Sequence, residues 1–236
     1  MTRHFSIGIT LLSALAAAQG ADAAGTFTFA PITGDADSGI SAARTYTHAV
    51  DFRGGLTPDT ATTISGVPFH VGEPNGPNYS STGLTIPYFA DLPTNSVPSG
   101  PDTLYDLFQD FYHNSARPDP GTQTLTLTGL TPGTTYATTF YNVGFDLANA
   151  RRVVDVTTSD GGSLTGFDQN FTGEGNLSVL RYTFTATDPS ITFTFDPAGA
   201  DTFHHYGFTN EVVPEPAAGL VLAAAGLLAL RRRRAA

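Results

Sequence analysis

The stretch of sequence that decides the fold is TLTLTGLTPGTTY, residues 124–136. Threonine alternates with leucine over its first five residues, so an extended chain would put leucine on a core and threonine in water. The next part, Thr131-Pro132-Gly133, is a turn signal, because proline presets φ and glycine tolerates turn conformations. The stretch therefore predicts a strand, a tight turn and a second strand.

The same alternation recurs in four other runs, at residues 26–29, 45–52, 182–187 and 191–195. Turn signals occur at Asp160-Gly161-Gly162, Asp188-Pro189 and Asp196-Pro197. Many short strands with regular turns predict an all-β protein, built as a single β-sandwich over residues 24–213. One helix is predicted over 103–111 with Asp102 as its cap, and residues 72–101 are predicted to form a long surface loop.

Arginine supplies all of the basic charge, and 11 arginines against 21 acidic side chains give a net charge of −10. A negative protein repels nucleic acid, because binding a phosphate backbone needs clustered basic side chains. We therefore expect no nucleic-acid partner. The absence of cysteine excludes disulfides and thiol catalysis, so an ordinary packed core must stabilise the chain.

Residues 1–23 are predicted to be a secretory signal peptide. Arg3 and His4 give a weakly basic start, and residues 7–18 form an apolar stretch. Ala21-Asp22-Ala23 matches the A-x-A pattern of a cleavage site, which predicts cleavage after Ala23 and export through the secretory pathway.

The other end, residues 214–236, has three parts. Pro214, Glu215 and Pro216 make a stiff break, because neither proline can continue a helix or a central strand. The apolar run 217–230 would form a helix about 21 Å long, shorter than a hydrocarbon core of about 30 Å. Four basic side chains follow it and could snorkel to extend the span, namely Arg231, Arg232, Arg233 and Arg234. We therefore predict a membrane helix over 217–230.

This tail resembles the PEP-CTERM sorting signal of Gram-negative, exopolysaccharide-producing bacteria. The Pro-Glu-Pro motif, the short membrane helix and the arginine-rich end all occur in the family's order, although Ala217 stands where many members carry serine or threonine. The resemblance implies an exosortase-type membrane protease as partner and transient anchoring in the inner membrane. It also implies a processed body at the cell surface or outside the cell.

The body has a resemblance of its own. Residues 127–136, together with SGISAARTYTHAVDF (38–52), TTISGVPF (62–69) and FHHYGFTNEV (203–212), are similar to the exported β-sandwich proteins that commonly carry this tail. The resemblance implies a jelly-roll-like β-sandwich, related in shape to carbohydrate-binding modules. It offers no catalytic motif, and a shared shape does not confer a function.

Two sets of residues are candidates for ligand binding. Asp35 and Asp37 lie in a glycine-containing loop and could offer oxygen ligands to Ca²⁺, with a solvated turn as the alternative. A glycan site needs aromatic rings beside planar polar groups, and one such set comprises Tyr141, Asn142, Asp146 and Arg151. Residues 111–114 have similar ingredients. For both aromatic clusters the alternative is packing in the core or at a strand edge.

Two further patterns have structural interpretations. His204 and His205 are adjacent, so on a strand they should point to opposite faces, one packed and one outward. Thr-x-Thr spacing at 124–128, 183–187 and 192–194 is similar to flat ice-binding arrays, but β-propensity on a solvated face also explains it.

The sequence contains no nucleophile elbow, zinc-protease motif or phosphate-binding glycine loop. We therefore expect a non-enzymatic protein of the envelope or extracellular matrix, without a cofactor and associated with exopolysaccharide. The first alternative is a carbohydrate-binding module with a calcium site. A secreted glycan hydrolase with an unrecognised carboxylate pair and an ice-binding protein are further alternatives.

Overall fold

The computed structural model describes residues 24–52, 62–89, 102–114, 121–147, 152–197 and 202–214. A 3-10 helix spans Asp35–Asp37 and the helix α1 spans Leu104–Leu107. The strands are β1 Thr26–Ile32, β2 Thr45–Phe52, β3 Thr63–Ile64, β4 Val67–Pro68, β5 His70–Gly72, β6 Tyr79–Thr82, β7 Ile86–Phe89, β8 Asp110–His113, β9 Gln123–Thr128, β10 Thr135–Val143, β11 Val153–Thr158, β12 Ser163–Asp168, β13 Leu177–Thr185, β14 Ser190–Pro197 and β15 Gly207–Val212.

Two large sheets form a sandwich, which confirms the predicted all-β class. The first sheet has six strands in the order β1-β13-β10-β15-β2-β5, and the second has five in the order β12-β11-β14-β9-β6. The pairs within them are antiparallel, except that β5 runs parallel to β2. The predicted strand–turn–strand at 124–136 is confirmed as β9 and the start of β10, with Gly133 at φ +82. The turn sends the chain from one sheet into the other.

The core between the sheets is largely aromatic. Phe140 of the first sheet meets Phe193 and Phe195 of the second edge-to-face, with centroids 5.2 Å apart in both pairs. These three side chains are at most 2% exposed. Aromatic pairs in this geometry add to the free energy gained from their buried area. This packed core stabilises the fold in a chain that has no cysteine and therefore no disulfides.

A third layer covers part of the outer face of the six-stranded sheet. Residues 62–69, helix α1 and β8 bury a second apolar cluster against that face, which includes Tyr141, Val143 and Leu177. Gly207 of β15 permits this packing, because a Cβ there would lie 2.4 Å from Cδ1 of Leu107 in α1.

The predicted helix is much shorter in the structure. It ends at Leu107, and the residues that follow form β8, which pairs with β7. Thr103 is the cap and accepts a hydrogen bond from the Tyr105 N–H, whereas Asp102 accepts one from the Thr63 N–H. The prediction of Asp102 as the cap is therefore wrong. The apolar pattern that suggested a longer helix arises because both the helix and β8 contribute to the second cluster.

Other boundaries also differ from the sequence prediction. Residues 72–101 contain β6 and β7 rather than only a loop, and β14 continues through the predicted turn at Asp196-Pro197. Within the described ranges, no helix is long and apolar enough to cross a membrane. The predicted signal peptide with Ala21 and Ala23, and the tail from Glu215 onward with its membrane helix and arginines, lie outside the described residues.

The two adjacent histidines point into different clusters. His204 stacks on Phe111 with ring centroids 3.9 Å apart, and the His205 ring lies 4.8 Å from both Phe195 and Phe203. The prediction that the two histidines point to opposite faces is confirmed. The prediction that one of them points outward into water is wrong. Each is only 3% exposed, because the third layer covers the side that would otherwise meet water.

Truncating Phe208 tests the packing between the sheets. Its ring contacts Phe52, Tyr79 and Phe140 with centroids 5.6 to 6.2 Å away. We expect Phe208→Ala to lower the free energy of unfolding by about 3–5 kcal/mol in a denaturant titration. Thr194→Ala, on the half-exposed side of β14, should lower it by less than about 1 kcal/mol. Equal losses for the two variants would contradict this packing.

The burial of His205 predicts a pH dependence of stability. Burial lowers its pKa to about 3, and neither ring nitrogen has a hydrogen-bond partner in the described part of the chain. The unfolded chain takes up a proton near pH 6.5 that the folded chain excludes, so stability falls as the pH drops below about 6.5. His205→Phe removes this penalty. Between pH 7 and pH 5, the variant should lose about 2 kcal/mol less of its unfolding free energy than the natural protein. An unchanged pH dependence in denaturant titrations would show that His205 is not buried in the neutral form.

Candidate functional site

An exposed tyrosine stands on a group of aromatic rings at one end of the sandwich. Tyr88 is 43% exposed, and its ring centroid lies 5.1 Å from that of Phe111 and 6.2 Å from those of His113 and Phe145. Strand pairing fixes the arrangement, because Tyr88 of β7 is the register partner of Phe111 in β8. We call the four residues Tyr88, Phe111, His113 and Phe145 the Tyr88 surface.

Two contacts fasten the β7–β8 sheet to the sandwich. Phe111 stacks on the buried His204. One residue along, Tyr112 and His205 exchange backbone hydrogen bonds of 3.0 and 2.9 Å. Ring stacking and backbone pairing together fix the position and orientation of the strand that pairs with Tyr88.

Charged groups lie beside and beneath the rings. The Arg152 guanidinium is centred 5.8 Å from the Phe145 ring, and its Nη1 donates to the Thr202 carbonyl at 3.2 Å. Asp146 lies 3.9 Å from the same guanidinium and keeps 31% of its side chain exposed. A buried cation thus lies beside an aromatic ring and an acidic side chain, the partly exposed carboxylate of Asp146.

A glutamate shapes the loop that carries Phe145 and Asp146. The two oxygens of Glu174 accept hydrogen bonds from the backbone N–H groups of Asp146 and Leu147, at 3.0 and 2.8 Å. Asn170 adds a bond from the Phe145 N–H at 3.0 Å. These bonds stabilise Asp146 at φ +62, a left-handed conformation that is uncommon for residues other than glycine.

His113 is arranged to accept a hydrogen bond. Its Nδ1 lies 3.0 Å from the Asn114 carbonyl oxygen, which can only accept, so Nδ1 carries the proton and Nε2 holds a lone pair. Burial lowers the pKa of His113 below its usual value and outweighs the hydrogen bond to the Asn114 carbonyl, which raises it, while the charge of Arg152 adds a smaller lowering. The ring is therefore neutral at neutral pH and can accept a hydrogen bond from a hydroxyl group.

Of the four residues predicted to bind glycan, the structure brings one to this surface. Asp146 lies at its rim, but Tyr141 and Asn142 are 2% and 0% exposed. The Tyr141 hydroxyl hydrogen-bonds Thr209 Oγ1 at 3.0 Å, and the Asn142 side-chain oxygen accepts from Gln169 at 2.8 Å. Both side chains serve the interior and cannot contact an external sugar in this structure. Arg151 lies outside the described residues.

The two aspartates proposed for calcium both accept hydrogen bonds from backbone N–H groups. Asp37 accepts from Thr33 and Gly34 at 2.8–2.9 Å, while Asp35 accepts from the Leu104 N–H at 2.9 Å. Burial opposes ionisation of Asp37, but these bonds outweigh it and lower its pKa. In the described ranges no three His, Asp or Glu side chains converge as a metal site would require. The calcium site stays a prediction.

The threonine runs lie on two different sheets. Residues 124–128 and 192–194 share the five-stranded sheet, where Thr126 and Thr192 hydrogen-bond each other at 2.8 Å. Thr183 and Thr185 belong to the six-stranded sheet. The runs therefore do not form one continuous array, and cross-strand pairing satisfies hydroxyls within the sheet.

The Tyr88 surface suits a ligand that presents an apolar face and hydroxyl groups together. An exposed aromatic ring can pack on the apolar face of a pyranose, and a carboxylate and a neutral imidazole are groups that can accept hydrogen bonds from its hydroxyls. Tyr88 itself was missed from sequence. Its strand has four residues, includes Pro87 and gives only a weak alternating pattern, so it was predicted as part of a loop.

Comparison with known proteins places the fold. No protein-family model and no curated protein matches the chain. Among solved structures, the extracellular domain of ANXUR1 from Arabidopsis thaliana is similar at 12% identity with a TM-score of 0.55, covering 72% of this chain and 49% of that one. The ANX2 ectodomain from the same plant is similar at 13% identity with a TM-score of 0.54, covering 72% of this chain and 50% of that one. A chain in the structure of the plant peptide RALF23 in complex with FER and LLG2 is similar at 12% identity with a TM-score of 0.54. The match covers 79% of this chain and 55% of that one.

This chain spans about half the length of those matched chains. At such low identity the similarity shows the fold alone. The matched structures are extracellular domains of plant proteins, and what those proteins bind is not transferred to this chain.

Proposed function

We propose that this chain is an exported, non-enzymatic protein of the cell envelope or extracellular matrix that associates with exopolysaccharide through the Tyr88 surface. The observation that carries the proposal is the exposed ring of Tyr88, held on buried aromatic rings beside an acceptor histidine and a carboxylate. We also propose that the sandwich is jelly-roll-like. A carbohydrate-binding module with a calcium site is the alternative function.

The physical support is a balance between exposure and rigidity. The pairing of β7 with β8 holds the half-exposed Tyr88 ring in place over Phe111, and unlike the exposed Phe29 it has a histidine and a carboxylate within the same group of residues. A rigid aromatic ring binds with little loss of conformational entropy. Asp146 and His113 supply directional hydrogen bonds, which set the orientation of a sugar ring.

Export and sorting form the second part of the proposal. The N-terminal signal would send the body across the inner membrane, and the tail beginning at Pro214 would anchor it until an exosortase-type protease acts. Pro214 is the last described residue and is exposed, directly after β15. A protease could therefore reach the motif that Pro214 begins without unfolding a strand of the sandwich.

Binding is tested by co-sedimentation of the full chain with exopolysaccharide purified from the organism that makes it. The natural protein should bind saturably. Tyr88→Ala should weaken binding at least about tenfold, because truncating a central aromatic anchor commonly costs more than 1.4 kcal/mol. Phe29→Ala is the matched control, since Phe29 is 50% exposed on β1 and should leave binding unchanged.

Two outcomes of this assay would contradict the proposal. Absence of binding would remove exopolysaccharide as the partner, and equal binding by Tyr88→Ala would remove the Tyr88 surface as its site. Repeating the assay with Ca²⁺ and with EDTA tests the calcium prediction separately. Binding that is lost in EDTA would point to Asp35 and Asp37 instead.

A further inference from the structure

A second polar site lies on the outer face of the six-stranded sheet. The side chain of Glu211 in β15 is 6% exposed, and its Oε1 accepts hydrogen bonds from both Arg44 and Arg181. The Arg44 Nη1 lies 2.5 Å from this oxygen. This hydrogen bond raises the pKa of Arg44, so the guanidinium is fully charged. Two cations therefore share one carboxylate, which leaves a local surplus of one positive charge in a strongly acidic protein.

The two arginines come from distant parts of the sheet. Arg44 directly precedes β2, next to β15, whereas Arg181 lies on β13, beyond β10. Arg181 reaches Glu211 across the short side chains of Ala137 and Thr139 in β10. In β2 the register with β15 shifts between Tyr46 and His48, which is a β-bulge, a feature common beside binding sites.

The arginines and the glutamate line a cavity of about 560 Å³. Its other walls are Ala43, Thr45, Val212, Val213 and Pro214. A site of this size, mostly apolar with a few convergent polar groups, is typical of small-molecule binding. Arg44 and Arg181 keep 39% and 30% of their side chains exposed, so a ligand in the cavity could reach part of each side chain.

A second hollow adjoins the first and shares Arg44. It has a volume of about 360 Å³, and its walls include Tyr46, Val67, Pro68 and His70. Aromatic and proline side chains offer flat apolar surfaces, as the ring face of a sugar requires. The two hollows flank one arginine, so a ligand of two linked units would place its charge at Arg44 and its neutral unit beside Tyr46.

We propose that the Arg44–Arg181 cavity binds a carboxylated sugar unit, that is, a uronic acid within a saccharide. The carboxylate would accept hydrogen bonds from the guanidinium groups, whose planar donors match its two oxygens. Because the acidic protein repels densely charged polymers, we expect a saccharide in which neutral units separate the carboxylated ones.

This site is independent of the Tyr88 surface. Arg181 is the register partner of Thr139 in β10, whereas Phe145 follows the far end of that strand. β10 continues four residues beyond Thr139, to Val143, which at about 3.3 Å per residue is roughly 13 Å, and Phe145 lies beyond that end of the strand. Tyr88→Ala should therefore leave this site unchanged, and the failure of either proposal can be distinguished from failure of the other.

The test measures the affinity of the purified full chain for methyl glucuronoside by NMR or calorimetric titration. Methyl glucoside, which lacks the carboxylate, is the matched neutral ligand and should bind at least about tenfold more weakly. Glu211→Gln provides the sharpest variant. It removes the competing negative charge, keeps a side-chain oxygen for the arginines and should tighten glucuronoside binding about threefold or more. Loss of folding cannot mimic a gain in affinity.

Arg44→Gln should have the opposite effect and weaken glucuronoside binding about tenfold. Thermal unfolding of each variant verifies that it remains folded. The proposal would be overturned by undetectable glucuronoside binding, by equal binding of the two glycosides, or by an affinity that Glu211→Gln leaves unchanged. Tighter binding of N-acetylglutamate amide than of the glucuronoside would also overturn it, because the site would then favour an acidic peptide.

Discussion

The stack of Phe111 on His204 is the contact on which the Tyr88 surface depends. It joins the small β7–β8 sheet to the segment that enters the central strand β15, with ring centroids 3.9 Å apart. Burial lowers the pKa of His204 well below its usual value, and the nearby positive charge of Arg152 adds to the effect. A neutral imidazole can pack flat on a phenylalanine in an apolar layer, whereas a protonated one would face a buried guanidinium. Because Tyr88 is the register partner of Phe111, the stacking of Phe111 on neutral His204 also fixes the position of Tyr88.

The third layer explains where sequence reasoning succeeded and where it failed. Strong alternation predicted β2, β9 and the core of β14. In β9 and β14 buried residues alternate with partly exposed ones, whereas the second half of β2 is buried on both faces. Alternation could not predict β6 and β7, which are four residues long and depend on pairing with distant strands. The outward histidine was predicted from a two-layer sandwich, but α1 and β8 cover the face that was expected to be solvated.

The same limit applies to the candidate sites. The sequence identified the right kinds of residue in 111–114 and 141–146 without showing which side chains reach the surface. Tyr141 and Asn142 belong to the interior, whereas Phe145 and Asp146 turn outward after β10 ends. The Arg44–Glu211 contact joins residues 167 positions apart, and no local pattern encodes it. The Tyr88 surface and the Arg44–Arg181 cavity are each formed by residues that are far apart in the sequence and meet only in the folded chain. Residue types therefore indicated candidates, but only the topology shows which of them lie together.

One measurement tests most directly whether the Tyr88 surface is a glycan site. It is a two-dimensional NMR titration of the intact protein with oligosaccharides released from its own organism's exopolysaccharide, recording the aromatic side-chain signals. We predict saturable shifts of Tyr88, His113 and Phe145, with the exposed rings of Phe29 and Phe171 unaffected. Shifts centred on Phe29 and Phe171, with Tyr88 unchanged, would contradict this assignment and place the ligand at the edge strand β1.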